Sequence, residues 1–512
     1  CDDNNALVAA VLARKARKPV KLINTREEEF LAGCRPRVFM KINVKLGFKK
    51  DGRIRAKHIK VIADNGAYCA KAPAITGVAA MRHDTCYKYT DVKTEARLVY
   101  TNKVPTGAFR GFGNPSAEWA VEQAIDLGAH ELGIDPIEIA RINAAETGYV
   151  SPHGNRVTSC ELRQCLDMTE KMIDWKAKRA NKAPNTGFGL ACTVHVSGKR
   201  HFGDYDGSSA TIKLNEDGKA LILSGEGECG QGANTAMCQI AAEELGVRVE
   251  DVEISRADTD LTTFCLGAFA SRLTYVSGNA VKNAATNVKR QLFEQAAEML
   301  EANPEDLMSR DGRVFVKGAE GKSVTVADVA RARLFRHNGA PIVGSGSFDA
   351  DSVLPDSTRF GNESGAYNYG VQAAEVHVDP ETGQVRVLNF VIASDCGTVI
   401  YPMGAEGQVE GGLAQGIGYA LTEGLQFDEG RPVNPNFSDY RIPSMRDMPP
   451  LQHAFADSYE PTGPFGAKGL GELNMDPTAA VINNAIFDAV GVRIKNLPIT
   501  PEKILKALKE KG

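Results

Sequence analysis

The sequence lacks the residue spacings by which proteins commonly bind metals or build disulfide frameworks. Its 512 residues include eleven cysteines without a C-x-x-C pair and nine histidines without an H-x-x-x-H spacing. Such spacings are typical of zinc and iron–sulfur sites. A sparse, odd-numbered set of cysteines is typical of reduced, cytosolic proteins. The sequence therefore predicts a cytoplasmic protein with no metal site made by this chain alone, so a redox centre would have to be a bound cofactor.

Neither a strong excess of one charge nor a long apolar run is present. The chain has 60 basic and 64 acidic side chains, which gives a net charge of -4. No apolar run reaches the roughly 18 residues that a membrane-spanning helix needs. Nucleic acid and membrane are therefore not expected partners. The length favours roughly three domain-sized units.

The stretch GEGECGQGANT, residues 225–235, contains the pattern G-x-G-x-x-G of dinucleotide-binding proteins. In such proteins an acidic residue that binds the ribose follows the glycines by roughly 20 residues, and Glu243 and Glu244 lie at about this distance. The preceding strand is predicted to be the second arm of an antiparallel hairpin that turns at Asp217-Gly218, whereas a Rossmann fold needs a parallel β-α-β unit. This argues against a Rossmann fold. A nicotinamide-dependent dehydrogenase stays open as an alternative, and no phosphate-binding P-loop motif is present.

Four further loops rich in small residues lead into predicted helices or lie within them. They are GAFRGFGNP (107–115), GAFASRLTYVSGNAV (267–281), GGLAQGIG (411–418) and KGLGE (468–472). Each loop taken singly is typical of a tight turn with a structural or solvated polar residue. Because glycine weakens helices and strands, five such loops together favour a large cofactor that approaches the backbone closely. A non-catalytic cofactor carrier or assembly partner stays open as a second alternative.

Taken in order, the five motifs resemble the signature loops of the molybdenum-binding subunit of the xanthine oxidase family, the molybdenum hydroxylases. The resemblance covers essentially the whole chain. It implies a mixed α/β (α+β) fold of two elongated molybdopterin-binding domains with mixed and antiparallel sheets. These domains hold a molybdopterin cofactor with molybdenum, in bacteria usually as the cytosine dinucleotide. The resemblance also implies an iron–sulfur partner subunit and, in some members, an FAD subunit.

The same resemblance implies roles for particular residues. Glu472 is implied as the catalytic base, which takes a proton while oxygen is transferred to an electrophilic carbon of the substrate. Phe112, Thr193 and Phe269 are implied as substrate contacts. The residues implied to surround the pterin and the molybdenum are Arg110, Gly230, Gln231, Gly232, Ala270, Ser271 and Gln415.

Two positions differ from xanthine-oxidising members of the family. Val78 stands eight residues before Cys86-Tyr87, where those members carry arginine, and Cys192 lies in a strand where they carry an aromatic residue. The resemblance therefore favours a planar aromatic or heteroaromatic substrate, including a coenzyme A thioester, over a purine. The reaction is then a hydroxylation, or a reductive dehydroxylation as in 4-hydroxybenzoyl-CoA reductase. Oxidation of purines or aldehydes stays an alternative.

The predicted organisation follows from the resemblance and from local patterns. In the family, another glycine-rich loop precedes the segment matched here, so we expect a further part of the subunit upstream of residue 1. Residues 1–150 are assigned to the C-terminal part of a first domain, 151–186 to a connecting helix and linker, and 187–512 to a second domain. Helices are predicted at about 115–142, 161–174, 232–245, 277–302, 402–422, 476–489 and 501–510. The start of the chain, residues 2–23, is predicted to form a helix followed by a strand. The polar residues 176–186 are predicted to form the linker. Hairpin turns are predicted at 50–52, 217–218, 311–312 and 381–383.

Overall fold

The structure, a computed structural model, describes residues 5–33, 35–200, 205–337 and 339–511, without the side chains of residues 32 and 33. Cys1 and Cys34, predicted to be reduced, lie outside these residues. The helices are α1 Asn5–Ala16, α2 Arg26–Glu28, α3 Ala72–Met81, α4 Asn114–Leu132, α5 Pro136–Asn143, α6 Leu162–Met172, α7 Trp175–Ala180, α8 Ala233–Leu245, α9 Gly278–Leu300, α10 Val326–Arg336, α11 Pro402–Leu421, α12 Thr478–Val490 and α13 Pro501–Lys511. None of these helices is long and apolar enough to cross a membrane.

The strands form mixed and antiparallel sheets, which confirms the predicted fold class. They are β1 Phe39–Phe48, β2 Ile54–Asp64, β3 Asp91–Val99, β4 Thr186–Val196, β5 Gly207–Leu214, β6 Ala220–Leu223, β7 Val252–Ile254, β8 Leu307–Arg310, β9 Arg313–Val316, β10 Ala319–Thr325, β11 Ile342–Asp349, β12 Tyr367–Val378, β13 Val385–Asp395, β14 Phe427–Asp428, β15 Arg431–Pro432 and β16 Leu451–Phe455. The four predicted hairpins, β1/β2, β5/β6, β8/β9 and β12/β13, are all antiparallel. In contrast, β3 pairs with β2 and β16 pairs with β13 in parallel.

A sheet of order β16-β13-β12-β4 forms the centre of the fold. Every residue of β4 is buried, because helices cover this strand from both sides. Two glycines, Gly187 and Gly189, let α12 lie directly on β4. A side chain at either position would overlap with the backbone of α12, at Ala485 and Val481 respectively. The close packing fixes the loop that precedes α12, and this loop contains Glu472.

The hydrophobic core does not divide where the predicted domains do. One cluster joins residues between Val38 and Ala145 to residues of β4, β12 and β13, so segments on both sides of the predicted boundaries at 150 and 186 share it. A second cluster packs α11, α12 and α13 against the other face of the same sheet. A third packs α8, α9 and α10 on the sheet of order β11-β5-β6-β7. The three-part division of the chain stays a prediction.

Three local predictions need correction. The helix predicted at 115–142 is two helices, because Gly133 takes a left-handed conformation after α4 and Asp135 caps α5. The linker predicted at 176–186 begins as helix α7, which the buried Trp175 and an ion pair of Arg179 with Asp135 hold in place. The strand expected after the first helix does not form between residues 17 and 25.

Strand β6 has two neighbours of opposite direction. It is the second arm of an antiparallel hairpin with β5, as predicted. It also pairs in parallel with β7, and α8 connects these two strands. The motif GEGECGQG therefore does lie between the strand and the helix of a small β-α-β unit, within a sheet that is otherwise antiparallel. The predicted hairpin alone was thus not sufficient to exclude a dinucleotide-binding unit.

Candidate active site

A cavity of about 850 Å³ lies where four of the five glycine-rich loops meet. Its size is within the range of small-molecule and cofactor sites. The fifth motif, at 411–418, is not part of the wall, which instead includes the first turns of α11. The predicted site residues that line the cavity are Arg110, Phe112, Gln231, Gly232, Phe269, Ala270, Ser271 and Glu472.

The carboxylate of Glu472 is held at the cavity wall by two donors from different loops. The backbone N–H of Gly111 donates to Oε1 at 3.1 Å, and the hydroxyl of Ser271 donates to Oε2 at 3.2 Å. The backbone N–H of Glu472 in turn donates to the Ser271 oxygen at 3.1 Å. The side chain is only 18% exposed. Its orientation is therefore fixed by the surrounding loops.

Unusual backbone conformations allow these loops to approach each other. Phe112, Ala270 and Ser271 have φ values of 59°, 51° and 50°, in the left-handed region that residues other than glycine seldom adopt. A side chain at Gly469 would overlap with the backbone of Ser271. Left-handed non-glycine residues store strain and are concentrated at functional sites. The clustering of three of them in one cavity wall points to a functional site.

Arg110 clamps the loop of Glu472 to helix α11. Its Nε donates to the backbone carbonyl of Gly471 at 2.6 Å. Its Nη2 donates to the carbonyl and to the side-chain oxygen of Gln408, at 3.2 and 3.0 Å. Arg110, predicted to face the cofactor, thus lines the cavity while its hydrogen bonds hold two wall elements together.

Two buried carboxyl groups lie behind Glu472. Asp476 accepts a hydrogen bond from the side-chain amide of Asn114 at 3.3 Å. Burial and the neighbouring charge of Glu472 raise the pKa of Asp476 well above its usual value. Burial, with Asp476 nearby, likewise raises the pKa of Glu118. Both shifts favour the protonated form of these groups compared with an exposed carboxyl group.

The cavity wall also contains the N-terminus of α8. The backbone N–H groups of Gly230, Gly232 and Asn234 all donate to the carboxylate of Glu228, at 2.7 to 3.1 Å. The amides of this loop therefore converge on one negatively charged group. Gln231 lines the cavity, and its side-chain oxygen accepts from the N–H of Cys229 at 2.6 Å.

Three predicted site residues do not line the cavity. Thr193 is buried within β4, and its hydroxyl donates to Glu118 at 3.0 Å, so the structure does not support a contact with substrate. Gln415 lies two helical turns beyond Gln408 on α11, away from the cavity. Gly230 holds Glu228 through its amide but is not part of the wall.

The two positions used to argue against a purine substrate also lie away from the cavity. Val78 is buried in α3, and Cys192 is buried in β4. Neither side chain can select a substrate by direct contact. Arg82, one helical turn after Val78, does line the cavity. Its guanidinium pairs with the buried carboxylate of Glu363 at 2.9 Å.

Sequence reasoning missed Gln408, His195 and the buried carboxyl groups. Gln408 and Gln415 are seven residues apart on the same face of α11, so the pattern marked the correct face but not the correct turn. His195 lies in a strand that is buried on both faces. Such a strand gives no alternation from which an inward side chain can be recognised. Among the described residues, no three or more His, Cys, Asp or Glu side chains cluster in a way that could hold a metal ion.

Known proteins are similar to this chain over most of its length. Two molybdopterin cofactor-binding domain families match the chain, at residues 4–144 and 168–449. The chain is 36% identical over 496 residues to the putative xanthine dehydrogenase molybdenum-binding subunit of Escherichia coli (strain K12), covering 95% of this chain and 64% of that protein. It is 30% identical over 531 residues to the carbon monoxide dehydrogenase large chain of Hydrogenophaga pseudoflava, covering 99% and 64%. This chain thus spans 64% of the length of each of these relatives.

A solved structure is also similar. Quinoline 2-oxidoreductase from Pseudomonas putida 86 superimposes with a TM-score of 0.90 at 30% sequence identity, covering 98% of this chain and 66% of that one. The match extends over nearly all the elements described above.

Proposed function

Because this chain belongs to the molybdenum-binding subunits of the xanthine oxidase family, we propose that it forms the catalytic part of a molybdopterin-dependent oxidoreductase. The reaction takes place at an electrophilic carbon of a planar aromatic or heteroaromatic substrate. One observation carries the proposal. The carboxylate of Glu472 is fixed at the wall of the cavity by Gly111 and Ser271, and a carboxylate held in this way is a suitable proton acceptor.

The residues of the cavity fit the proposed cofactor. The volume of about 850 Å³ accommodates a large ligand. Helix α8 begins at the cavity wall, and the N-terminus of a helix suits a negatively charged group such as a phosphate. Arg35, Lys71 and Lys199 also line the cavity and suit an anionic cofactor. Gln231, Gly232, Ala270 and Ser271 would hold it; the cytosine dinucleotide form rests on the family resemblance.

The chain's own residues provide the proton chemistry. When bound, the cofactor supplies the oxygen for transfer and accepts the electron pair. Glu472 takes the proton, because its oxygens retain lone pairs beyond those used by Gly111 and Ser271. Arg110 keeps the loop of Glu472 in place through its bond to Gly471. Proton acceptance by a positioned carboxylate contributes roughly 10²–10⁴-fold to rate.

The side chains of the cavity wall support the proposed class of substrate. Phe112 and Phe269 both line it, and aromatic side chains favour planar rings through stacking or edge contacts. These contacts suit a heteroaromatic ring, including a purine, as well as a benzoyl group. A coenzyme A thioester and the reductive direction stay predictions that rest on the resemblance to 4-hydroxybenzoyl-CoA reductase.

A two-electron reaction needs a route for its electrons, so we propose that this chain works with partner subunits. By family resemblance, an iron–sulfur subunit would accept or supply them, and an FAD subunit would connect to the final acceptor or donor. The chain's odd, sparse cysteines suit a reducing compartment, and we propose a cytoplasmic location.

The test is Glu472→Gln, which keeps the size and hydrogen bonding of the side chain but removes proton acceptance. We expect turnover of a heteroaromatic substrate to fall by roughly 10²–10⁴-fold while molybdenum per chain is unchanged. Glu381→Gln, in the exposed turn between β12 and β13, is the matched control and should leave both quantities at the native level. A fully loaded Glu472→Gln enzyme with near-native turnover would overturn the proposal. Turnover with NAD(H) and without molybdenum would favour the dehydrogenase alternative.

A further inference from the structure

The imidazole of His195 is buried in the cavity wall beside Glu472. Its Nε2 lies 3.6 Å from Glu472 Oε2, and the side chain is 0% exposed. Within the described part of the chain, this nitrogen is buried and has no hydrogen-bond partner. A buried polar atom without a partner costs free energy, so its retention beside a proposed base calls for an explanation.

The backbone determines which ring nitrogen of His195 carries hydrogen. Nδ1 lies 3.2 Å from the carbonyl oxygen of Val196. A carbonyl oxygen can only accept a hydrogen bond, so Nδ1 must be the donor. In the neutral ring, Nε2 is then left with a lone pair and acts as an acceptor. The acceptor nitrogen is the one that faces Glu472.

The charges around His195 favour the neutral ring. Three charged side chains face it: Glu472 from the loop before α12, Arg82 from the turn after α3, and Glu363 from the segment before β12. Burial lowers the pKa of His195 and Arg82 adds to this effect, whereas Glu472 and Glu363 oppose it. Glu363 is already paired with Arg82 at 2.9 Å and with Lys199 at 2.7 Å.

The two protonation states of Glu472 differ in what they offer His195. An ionised carboxylate presents only lone pairs to Nε2, and no hydrogen bond can form. A protonated carboxyl group presents an O–H, which can donate to Nε2 once the atoms approach by roughly 0.8 Å. We propose that His195 is a positioning residue that accepts a hydrogen bond from Glu472 after Glu472 has taken a proton during oxygen transfer. This inference rests on the proposed role of Glu472 as the base.

The proposed step leaves the ring neutral. The proton moves to Glu472 Oε2, the new O–H donates to Nε2, and no proton is transferred to His195. The hydrogen bond stabilises only the protonated form of Glu472, so it favours proton acceptance during turnover.

Two substitutions separate the acceptor role from a structural role. In His195→Asn, the side-chain amide reaches the position of Nδ1 and keeps the bond to Val196, but nothing accepts at the position of Nε2. In His195→Gln, the amide oxygen reaches the position of Nε2.

For His195→Asn we expect the acid limb of the kcat/KM profile to move to lower pH by about half to one unit, the effect of one lost hydrogen bond. For His195→Gln we expect the limb to stay near its native position.

Other outcomes of this comparison contradict the proposal. A shift to higher pH in His195→Asn would mean that His195 donates to the ionised carboxylate. Equal losses of activity in both variants, with the acid limb unmoved, would mean that His195 only supports packing.

A second measurement does not depend on activity. Nitrogen-15 NMR of the full chain with labelled histidine, with His195 assigned by its absence in His195→Asn, should show hydrogen on Nδ1 and none on Nε2 at neutral pH. Hydrogen on Nε2 would overturn the inference. The result is distinct from failure of the proposed function, which a fully active Glu472→Gln enzyme would reveal whatever the state of His195.

Discussion

Arg110 donates a hydrogen bond from its Nε to the backbone carbonyl of Gly471, 2.6 Å away. The acceptor immediately precedes Glu472 in the chain, and the same guanidinium also binds Gln408 at the start of α11. A single planar side chain thus joins three cavity elements. The position of the proposed base depends on a residue that is distant in sequence, 361 positions before Gly471.

Arg110→Lys tests this dependence. Lysine keeps the positive charge but lacks the planar fork that binds Gly471 and Gln408 together. We expect kcat/KM to fall by about a hundredfold, because small displacements of a catalytic group reduce rate by this order. Steady-state kinetics with molybdenum analysis is the measurement, and Arg97→Lys on the exposed strand β3 is the control. Near-native kcat/KM in a fully loaded Arg110→Lys enzyme would contradict the clamp.

Asp206 predicts an unusual dependence of stability on pH. It shares the buried guanidinium of Arg272 with Glu226, at 3.1 and 3.4 Å. Burial, with Asp349 nearby, raises the pKa of Asp206 to about 6, although Arg272 opposes the shift. Because the raised pKa favours the protonated form in the folded state, the stabilisation is complete below about pH 4 and is lost as pH rises through about 6.

The change Asp206→Asn should remove this dependence. From pH 4 to 7, we expect the wild-type free energy of unfolding to decrease relative to that of the variant by up to about 3 kcal/mol. Urea unfolding at several pH values measures the difference. In exposed Asp51, the hydrogen bond from Arg53 lowers the pKa, so Asp51→Asn should change the pH dependence in the opposite direction, and mainly below about pH 4. A constant difference between wild type and Asp206→Asn would refute the assignment.

Gly189→Ala tests the contact between β4 and α12. An added methyl group would overlap with the carbonyl of Val481 and the amide of Ala485, so the strand and helix must separate. We expect the free energy of unfolding to fall by about 1–3 kcal/mol, as for other overpacked cores. Gly321→Ala on the exposed strand β10, where no atom lies within 4 Å of the added carbon, is the control. Equal stability of the two variants would show that the contact tolerates separation.

Local chemistry made much of the fold predictable. Asp-Gly and Thr-Gly turns between alternating strands mark hairpins, because the turn conformation depends on a few adjacent residues. The break between α4 and α5 was also visible in Gly133, Asp135 and Pro136, but continuous helical periodicity outweighed it. The segment 176–186 begins as a helix because Trp175 is buried in the core. Only the tertiary structure determines where this tryptophan is buried.

The site was predictable where the motifs themselves form the wall. Glu472 and Ser271 come together because both lie in loops with small residues that permit close approach. The choice between Gln408 and Gln415 depends on how α11 sits against the loop of Asn474, a contact made by Gly412. The importance of His195, Asp476 and Glu118 depends on their burial and on the charges around them. No spacing in the sequence reveals burial or the surrounding charges.

The unit β6-α8-β7 shows what a glycine pattern encodes. A strand runs into a tight turn, the turn opens a helix, and a second strand returns in parallel, as in nucleotide-binding folds. Here the turn amides hold the carboxylate of Glu228 beside a cavity that we assign to a pterin cofactor. The spacing of Gly225, Gly227 and Gly230 therefore reports the shape of the backbone rather than the identity of its ligand. Genome searches that rely on this pattern alone will count proteins such as this one among nicotinamide enzymes.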